Sequence, residues 1–292
     1  MEKLFEVPYN FDENLIQFYK QNCDKISYLF LPPYKDDMIN TRTHIQTHIK
    51  GQCYMPSSRE EYERHLSFIT EAHLKFVILW QSKENISIEK IKYYCSLGTT
   101  GFTVASNNNA EIIKGYKANL VVISSIVRNI CKEISNIDFH NYDYIVMHFP
   151  FNRALDVLKQ LNLIKNKIIL MPNTFCHTDC PGIQHWFAKT QDDFIPERDC
   201  KALRDIEYSA YIYPEHLHIF DDYISGYKLQ GREYSTEVII QMCRMYFTRV
   251  SHFDFPEVML GSKLSKEFHN SLESKSIDEY YNIKTEELLK II

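Results

Sequence analysis

The sequence of 292 residues has no long hydrophobic run. None of its apolar stretches approaches the roughly 18 residues that a membrane-spanning helix needs, so we expect no membrane span. Residues 1–6 (MEKLFE) have neither the basic start nor the apolar stretch of a secretory signal peptide. We therefore expect a cytoplasmic protein, a setting in which structural disulfides are rare.

Several common functional patterns are also missing. The sequence contains neither GxGxxG nor GxxxxGK[ST], which weakens nucleotide-binding folds, and it lacks the GxSxG elbow of many hydrolases. The formal net charge is -5, so no global basic field indicates a nucleic-acid partner. Apolar residues at 45% and charged residues at 24% are ordinary for a globular protein, and the length is sufficient for one full core.

Eight short apolar and aromatic runs, most of them closed by a turn or a proline, are predicted to be strands. Most of them alternate with helical patterns, as between Ser87, a predicted N-cap, and Gly98, a predicted helix end. This alternation is typical of parallel βαβ units, and a count of eight favours a (β/α)8 barrel over an open doubly wound sheet. The predicted strands are residues 26–31, 76–80, 101–105, 120–123, 144–147, 167–171, 208–213 and 225–229.

Domain organisation follows from the same series. No linker, short repeat or low-complexity segment interrupts it, so we predict one barrel domain at residues 1–250. Residues 251–292 contain a polar stretch rich in Ser, Lys and Glu and a closing helical pattern. We predict that they form a C-terminal extension of the barrel domain.

Three of the eight cysteines lie together after the sixth predicted strand. Cys176 and Cys180 follow the strand end closely, and Cys200 lies in a polar stretch where burial gives no reason for a thiol. Thiolates grouped in loops past a strand end are metal or cluster ligands more often than core residues. Zinc sites favour paired C-x2-C knuckles, and this sequence has one wider pair. The three cysteines therefore predict an iron–sulfur cluster, with zinc or inert thiols as alternatives.

The fourth ligand of such a cluster is predicted to be Cys243, the nearest downstream cysteine. Cys243 falls in a helical pattern, so a thiol packed on the barrel is the alternative. Cys53, in an early loop, and an iron with three protein ligands and one open position are further alternatives. Cys95 and Cys131 fall inside helical patterns, which is typical of small buried hydrophobic residues.

Charged residues at two predicted strand ends are candidates for substrate binding and catalysis. Lys228 and Arg232 suit a carboxylate or a phosphate group, Arg232 through bidentate contact, unless they pair with Glu215 or Glu233. Glu215 is a candidate general acid–base. Because each of these residues follows its strand, we expect Glu215, Lys228 and Arg232 to lie with Asn173 at the C-terminal rim of the barrel.

Four histidines draw attention by their positions. His44 and His48 have the i, i+4 spacing of a metal pair on a helix, but they lack the HExxH context, so solvent-facing side chains are favoured. His177 and His185 flank the cysteines. His185 is predicted either to contact the cluster or the substrate, or to brace the loop.

Three motifs between about residues 165 and 250 resemble those of peptidase family U32. In that family the third motif precedes a helix ending in Tyr-Arg, where this chain has Met245-Tyr246-Phe247. The motifs are Asn173-x2-Cys176-x3-Cys180-Pro181-x3-His185 followed by Cys200, then Ile212-x-Pro214-Glu215-His216-Leu217, and then Tyr227-Lys228-Leu229-x-Gly231-Arg232.

The resemblance implies a barrel-like fold and an iron–sulfur cluster, which in some members of the family is a [4Fe–4S] cluster on four cysteines. Some members of the family are described as collagenase-like proteases, and others take part in oxygen-independent hydroxylation of ubiquinone precursors or of RNA bases. The cysteine spacing here differs from that of the best-known hydroxylation members, so the resemblance is to the family and not to one activity.

The first functional hypothesis is therefore an iron–sulfur enzyme for oxygen-independent hydroxylation or a related modification. Its substrate would be a small anionic molecule or a macromolecule such as nucleic acid. The alternatives are a peptidase, for which a Cys176/His185 dyad can be posited, and a non-catalytic cluster-bearing subunit. A heterodimer with a second U32-like protein is the expected partnership for a half-enzyme.

Overall fold

Parallel pairing between neighbouring strands closes an eight-stranded barrel in the computed structural model. The structure describes residues 3–37, 55–82, 84–126, 139–148, 151–175, 209–260, 262–273 and 275–281. The predicted (β/α)8 fold class is confirmed. Within these residues the strands are β1 Leu4–Pro8, β2 Ile26–Leu31, β3 Phe76–Trp80, β4 Gly101–Val104, β5 Val121–Ser124, β6 Tyr144–Val146, β7 Ile168–Leu170 and β8 Gly226–Lys228.

Helices follow most of the described strands. Asp12, Ser58, Ser87, Ser106 and Ser235 each cap a helix by accepting a backbone N–H, a contact worth about 1 kcal/mol. The predicted cap at Ser87 is thus confirmed. The described α-helices are α1 Glu13–Gln21, α2 Arg59–Glu71, α3 Ile88–Ser96, α4 Asn107–Tyr116, α5 Leu155–Gln160, α6 Thr236–Thr248, α7 Phe255–Leu260, α8 Ser262–Glu273 and α9 Ile277–Tyr281.

The core has two layers, one inside the barrel and one between the barrel and the helices. In β3, Val77 and Leu79 belong to the inner cluster, whereas Ile78 and Trp80 belong to the outer one. Both faces of the strand are buried, which explains why its sequence, FVILW, is a continuous apolar run without polar alternation. None of the described helices is long and apolar enough to span a membrane.

The number of predicted strands is right, but one of them is wrong. The chain has a strand at β1 that the sequence analysis missed, and β1 closes the barrel by pairing with both β2 and β8. Conversely, residues 209–213 of the predicted seventh strand have no ladder in the barrel beyond an isolated bridge at Ser209. The first six predicted strands are therefore β2 to β7, and the eighth predicted strand is β8.

Residues 209–213 satisfy their backbone groups by other means. The Ile212 N–H donates to the Pro172 carbonyl at 2.7 Å. The Tyr246 hydroxyl donates to the Ile212 carbonyl at 2.9 Å, and the Tyr280 hydroxyl donates to the Tyr211 carbonyl at 2.8 Å. Because Tyr280 belongs to α9, the helices after residue 250 pack directly on this segment.

A buried carboxylate ties the loop after β2 to two helices. Asp37 accepts hydrogen bonds from Arg59 at the start of α2, from Lys90 in α3 and from the Tyr94 hydroxyl, the last at 2.6 Å. Burial alone would raise the pKa of Asp37, but these donors outweigh burial and lower it below the ordinary value of 3.8. The contact stabilises the fold while the carboxylate is ionised.

We expect Asp37→Asn to destabilise the protein by about 2 kcal/mol at neutral pH, since charged hydrogen bonds are lost. A group with a depressed native pKa contributes stability above its unfolded pKa and loses it as the pH falls through its native pKa. The difference between wild type and variant should therefore be constant above pH 3.8 and shrink below it. Urea unfolding across this pH range measures it, and a difference that grows in acid would contradict the assignment.

Candidate active site

The chain lies at the C-terminal mouth of the barrel both before and after residues 176–208, a stretch that we call the connection. Ala210 packs with Met171 in the inner cluster, directly past the end of β7. The Asn152 side-chain amide donates to the Met171 carbonyl at 2.5 Å and to the Ala210 carbonyl at 3.3 Å. The described parts before and after the connection are thus fixed to the same end of the barrel.

Aromatic side chains pack against one another at the two ends of this connection. Phe175 and Tyr211 lie with ring centroids 4.7 Å apart and nearly parallel, and Phe268 of α8 packs against both rings. The connection therefore starts and ends at one place. We call the contact between Phe175 and Tyr211 the neck.

Most of the predicted ligands lie in parts of the chain that the structure does not describe. Their predicted roles stay predictions. Within the described residues, no group of three or more His, Cys, Asp or Glu side chains could hold a metal ion. The residues outside the description are Cys176, His177, Cys180, His185 and Cys200 of the connection, together with His44, His48, Cys53 and Cys131.

Asn173 joins the ends of β7 and β8. Its side chain donates to the Gln230 carbonyl and accepts from the Gln230 N–H, both at 2.9 Å, and it also contacts the Met242 sulfur at 2.9 Å. Gln230 returns a hydrogen bond to the Asn173 carbonyl. Asn173 is fully buried and lies at the predicted rim. With its side chain used in these contacts, it acts as a structural link between two strand ends.

Arg232 is a buried polar group of this rim. The chain turns at Gly231, whose φ of +124° and contact with the Tyr234 ring leave no room for a side chain. This turn buries Arg232, which is 3% exposed. Among the described residues, neither terminal guanidinium nitrogen of Arg232 has a hydrogen-bond partner. A buried cation of this kind is costly unless an anion compensates it.

Lys228 is placed differently from its prediction. Its amino group donates to Glu6 of β1 at 2.6 Å and lies 4.1 Å from the Phe30 ring centroid, inside the barrel. Glu6 and Lys228 are register partners of β1 and β8, with side chains 0% and 7% exposed. The charge of Lys228 is thus balanced by Glu6, and not by Glu215 or Glu233.

Glu215 does not join the other predicted site residues, and this expectation is wrong. Its carboxylate accepts from the N–H and the hydroxyl of Ser251, which follows the C-terminal end of α6. The Arg232 loop precedes the other end of α6, whose 13 residues span about 20 Å. Glu215 is also exposed, whereas Asn173 and Arg232 are buried.

Cys243 lies in the core between α6 and α1. It is fully buried, and burial raises the pKa of its thiol, which the hydrogen bond with Tyr19 only partly offsets. The Tyr19 hydroxyl in turn donates to the Pro8 carbonyl at 2.5 Å. A neutral, packed thiol is the opposite of what a cluster ligand needs. The structure thus gives no support to Cys243 as the fourth ligand.

The site residue that sequence reasoning missed is Glu6. A charged residue in the middle of the short apolar run Leu4–Pro8 was the available signal. A glutamate in such a run can be buried when a cation faces it. Lys228, which lies 222 residues later in the sequence, provides this cation.

Comparisons with known proteins were made for the whole chain. No protein-family model matches, and no curated protein matches. Among solved structures, a U32 peptidase aligns with 11% identity and a TM-score of 0.49 over 79% of this chain and 93% of that chain. An HpcH/HpaI aldolase from Desulfitobacterium hafniense aligns with 6% identity and a TM-score of 0.36 over 86% and 94%. The barrel assignment itself comes from the strand pairing.

Substitutions of Glu6 and Lys228 should show how much their ion pair contributes to the free energy of unfolding. We expect Glu6→Gln and Lys228→Met each to lower the free energy of unfolding by about 3–5 kcal/mol, because each leaves an uncompensated buried group. The double variant should lose far less than the sum of the two. Urea unfolding of the four proteins gives the coupling energy, and strictly additive losses would show that the pair does not act as a unit.

Proposed function

We propose that this chain is a barrel enzyme, or one subunit of an enzyme pair, that binds a small anionic substrate at Arg232. The same mouth of the barrel would carry a [4Fe–4S] cluster on Cys176, Cys180 and Cys200. The reaction proposed is oxygen-independent hydroxylation or a related modification. The observation that carries the proposal is the burial of the Arg232 guanidinium, unpartnered among the described residues, at the C-terminal mouth.

The position of Arg232 supports a substrate site. Enzymes with this fold build their active sites from the loops at the C-terminal ends of the strands. Arg232 follows β8, and Asn173, which is bonded to Gln230 of the same loop, lies three residues before the first cysteine of the connection. An anion at Arg232 would therefore lie beside the start of the cysteine-bearing connection.

The geometry of a guanidinium supports a carboxylate or phosphate ligand. Its two terminal nitrogens present parallel donors that match two oxygens of such a group. Arg249 shows the same chemistry when a partner is present, because it binds both oxygens of Asp221. A carboxylate or phosphate group of the substrate would bind the Arg232 guanidinium in the way that the Asp221 carboxylate binds Arg249.

The donor set of the connection would suit a cluster, because three cysteines close together in the sequence are typical of iron–sulfur ligation. The cluster would supply one-electron chemistry when bound. With Cys243 packed against Tyr19, the fourth iron position is left for Cys53 or for a ligand from outside the protein. The peptidase alternative depends on Cys176 and His185, which lie in the same connection.

Protein purified without oxygen should be brown, with broad absorbance near about 400 nm and bound iron and sulfide. Serine variants of Cys176, Cys180 and Cys200 should lose the iron. Cys243→Ala should keep it, since its thiol is buried in the core. Cys23→Ser, at an exposed position, is the matched control. Colourless protein with one bound zinc after cluster reconstitution would contradict the cluster, and iron loss in a folded Cys243→Ala protein would restore Cys243 as a ligand.

The unpartnered guanidinium leads to an unusual stability prediction. We expect Arg232→Met to raise the free energy of unfolding by at least about 1 kcal/mol without ligand, because the cost of burying an unpaired cation disappears. Acetate or inorganic phosphate should raise the Tm of wild type relative to chloride at equal ionic strength, and should not do so for Arg232→Met.

Arg249→Met is the matched control for this experiment. Arg249 already pairs with Asp221, so its loss should lower stability and leave the stabilisation by acetate or phosphate unchanged. Equal stabilisation of wild type and Arg232→Met by the anions would show that they act elsewhere and would refute the substrate site.

A further inference from the structure

The loop after β1 is bonded to the loop that carries Arg232. Because β1 and β8 are neighbours in the barrel, both loops leave the same end of adjacent strands. Asn10, in the loop after β1, is buried, and its side-chain amide donates to the Tyr234 carbonyl and to the Thr236 hydroxyl, both at 3.2 Å. Asn10 therefore joins the ends of β1 and β8, as Asn173 joins those of β7 and β8.

Arg232 lies in a short turn that is held at both ends. The Tyr234 N–H donates to the Gly231 carbonyl at 2.9 Å, which closes the turn around Arg232. The residue before the turn is held by Asn173, as described above, and Asn10 holds Tyr234, the last residue of the turn. The backbone on either side of Arg232 is thus fixed, which limits the positions that its guanidinium can reach.

The contacts of Asn10 belong to a larger network. Its side-chain oxygen accepts from the Asp12 N–H at 3.2 Å, and the Asp12 carboxylate accepts from the Thr236 hydroxyl. Asp12 caps α1, and Thr236 is the first residue of α6. The network therefore also joins the starts of two helices, so a shift of Asn10 would disturb both.

Phe11 lies between Asn10 and Asp12 in an unusual backbone conformation. Its φ is +62°, a left-handed value that is costly for a bulky residue. The Phe11 ring is buried against Tyr62 and His65 of α2, which hold this conformation. Backbone strain of this kind is concentrated at active sites and ligand-binding sites. Here the residues on both sides of Phe11 contact the same threonine.

We propose that Asn10 is a positioning residue of the anion site. It holds the turn that contains Arg232, and so keeps the guanidinium at the barrel mouth for a carboxylate or phosphate group. Burying a cation is costly, so without an anion hydration favours an Arg232 side chain that swings out to solvent. The contacts of Asn10 with Tyr234 and Thr236 oppose this movement. Asn10 acts on the anion only through Arg232, so this role rests on the proposed function.

Asn10→Ala tests this role, and Asn109→Ala is its matched control. Asn109 is also buried, and its side chain donates to the Glu84 carbonyl at 3.1 Å and accepts from the Ile86 N–H at 2.8 Å. Both variants lose donor and acceptor contacts of the same kind, but those of Asn109 join α4 to the loop after β3.

Inorganic phosphate is the probe, and its binding is measured by the rise of Tm with phosphate concentration at constant ionic strength. We expect Asn10→Ala to weaken the apparent affinity about tenfold, since a guanidinium that is in place for only about a tenth of the time lowers the affinity by that fraction. Asn109→Ala should stay within about twofold of wild type, because its contacts are distant from the turn.

A second measurement, made without phosphate, separates positioning from a merely structural role. We expect Asn10→Ala to lower the Tm less in wild type than in Arg232→Met. In wild type the loosened turn lets the cation reach water, which offsets part of the loss, whereas a methionine gains nothing from exposure. Asn109→Ala should lower the Tm equally in both backgrounds, because distant sites act additively.

Unchanged phosphate affinity in a folded Asn10→Ala protein would overturn the positioning role, and so would equal Tm losses in the two backgrounds. If phosphate does not stabilise wild type, the anion site of the proposed function fails. The comparison of Tm losses then decides by itself whether Asn10 holds Arg232. Asn10→Ser takes the place of Asn10→Ala in every comparison if the alanine variant does not fold.

Discussion

The ion pair between Glu6 and Lys228 is the interaction on which the barrel depends. A barrel exists only if its first and last strands pair, and here these strands carry opposite charges at facing positions inside an apolar lumen. Burying either charge alone would lower stability, so each strand needs the other to compensate its buried charge. The pair thus specifies the register of closure as well as contributing to it, because a slip of one residue would turn both charges toward the outer, apolar layer.

Much of the fold follows from local sequence. Strands β2 to β8 are short runs between turn signals, and serine caps such as Ser87 mark helix starts. The missed strand and the wrong one have a shared cause. Leu4–Pro8 contains a glutamate whose cation comes from the other end of the chain, and residues 209–213 have strand-like composition but use hydroxyls of Tyr246 and Tyr280. Both outcomes depend on partners that a local pattern does not include.

The predictions for the candidate site can be divided in the same way, into those that depend on local sequence and those that depend on tertiary contacts. Arg232 lies in the loop after β8, because position after a strand is a local property, whereas Lys228 lies within the strand. The distinction between Lys228, neutralised by Glu6, and Arg232, unpartnered among the described residues, depends on tertiary contacts. Glu215 was misplaced because it was assigned to the end of a strand that the barrel does not contain. The cysteine spacing, read from the sequence alone, remains the basis of the cluster proposal.

The neck between Phe175 and Tyr211 has a consequence for how this protein can change. Because the ring centroids of Phe175 and Tyr211 lie 4.7 Å apart, contacts among described residues hold the two ends of residues 176–208 together. The entropic cost of closing a chain segment grows only with the logarithm of its length, so added residues there are inexpensive for the fold. The contact that holds these two ends together does not depend on the number of residues between them. The length of this connection can therefore change while the contact at its two ends stays the same.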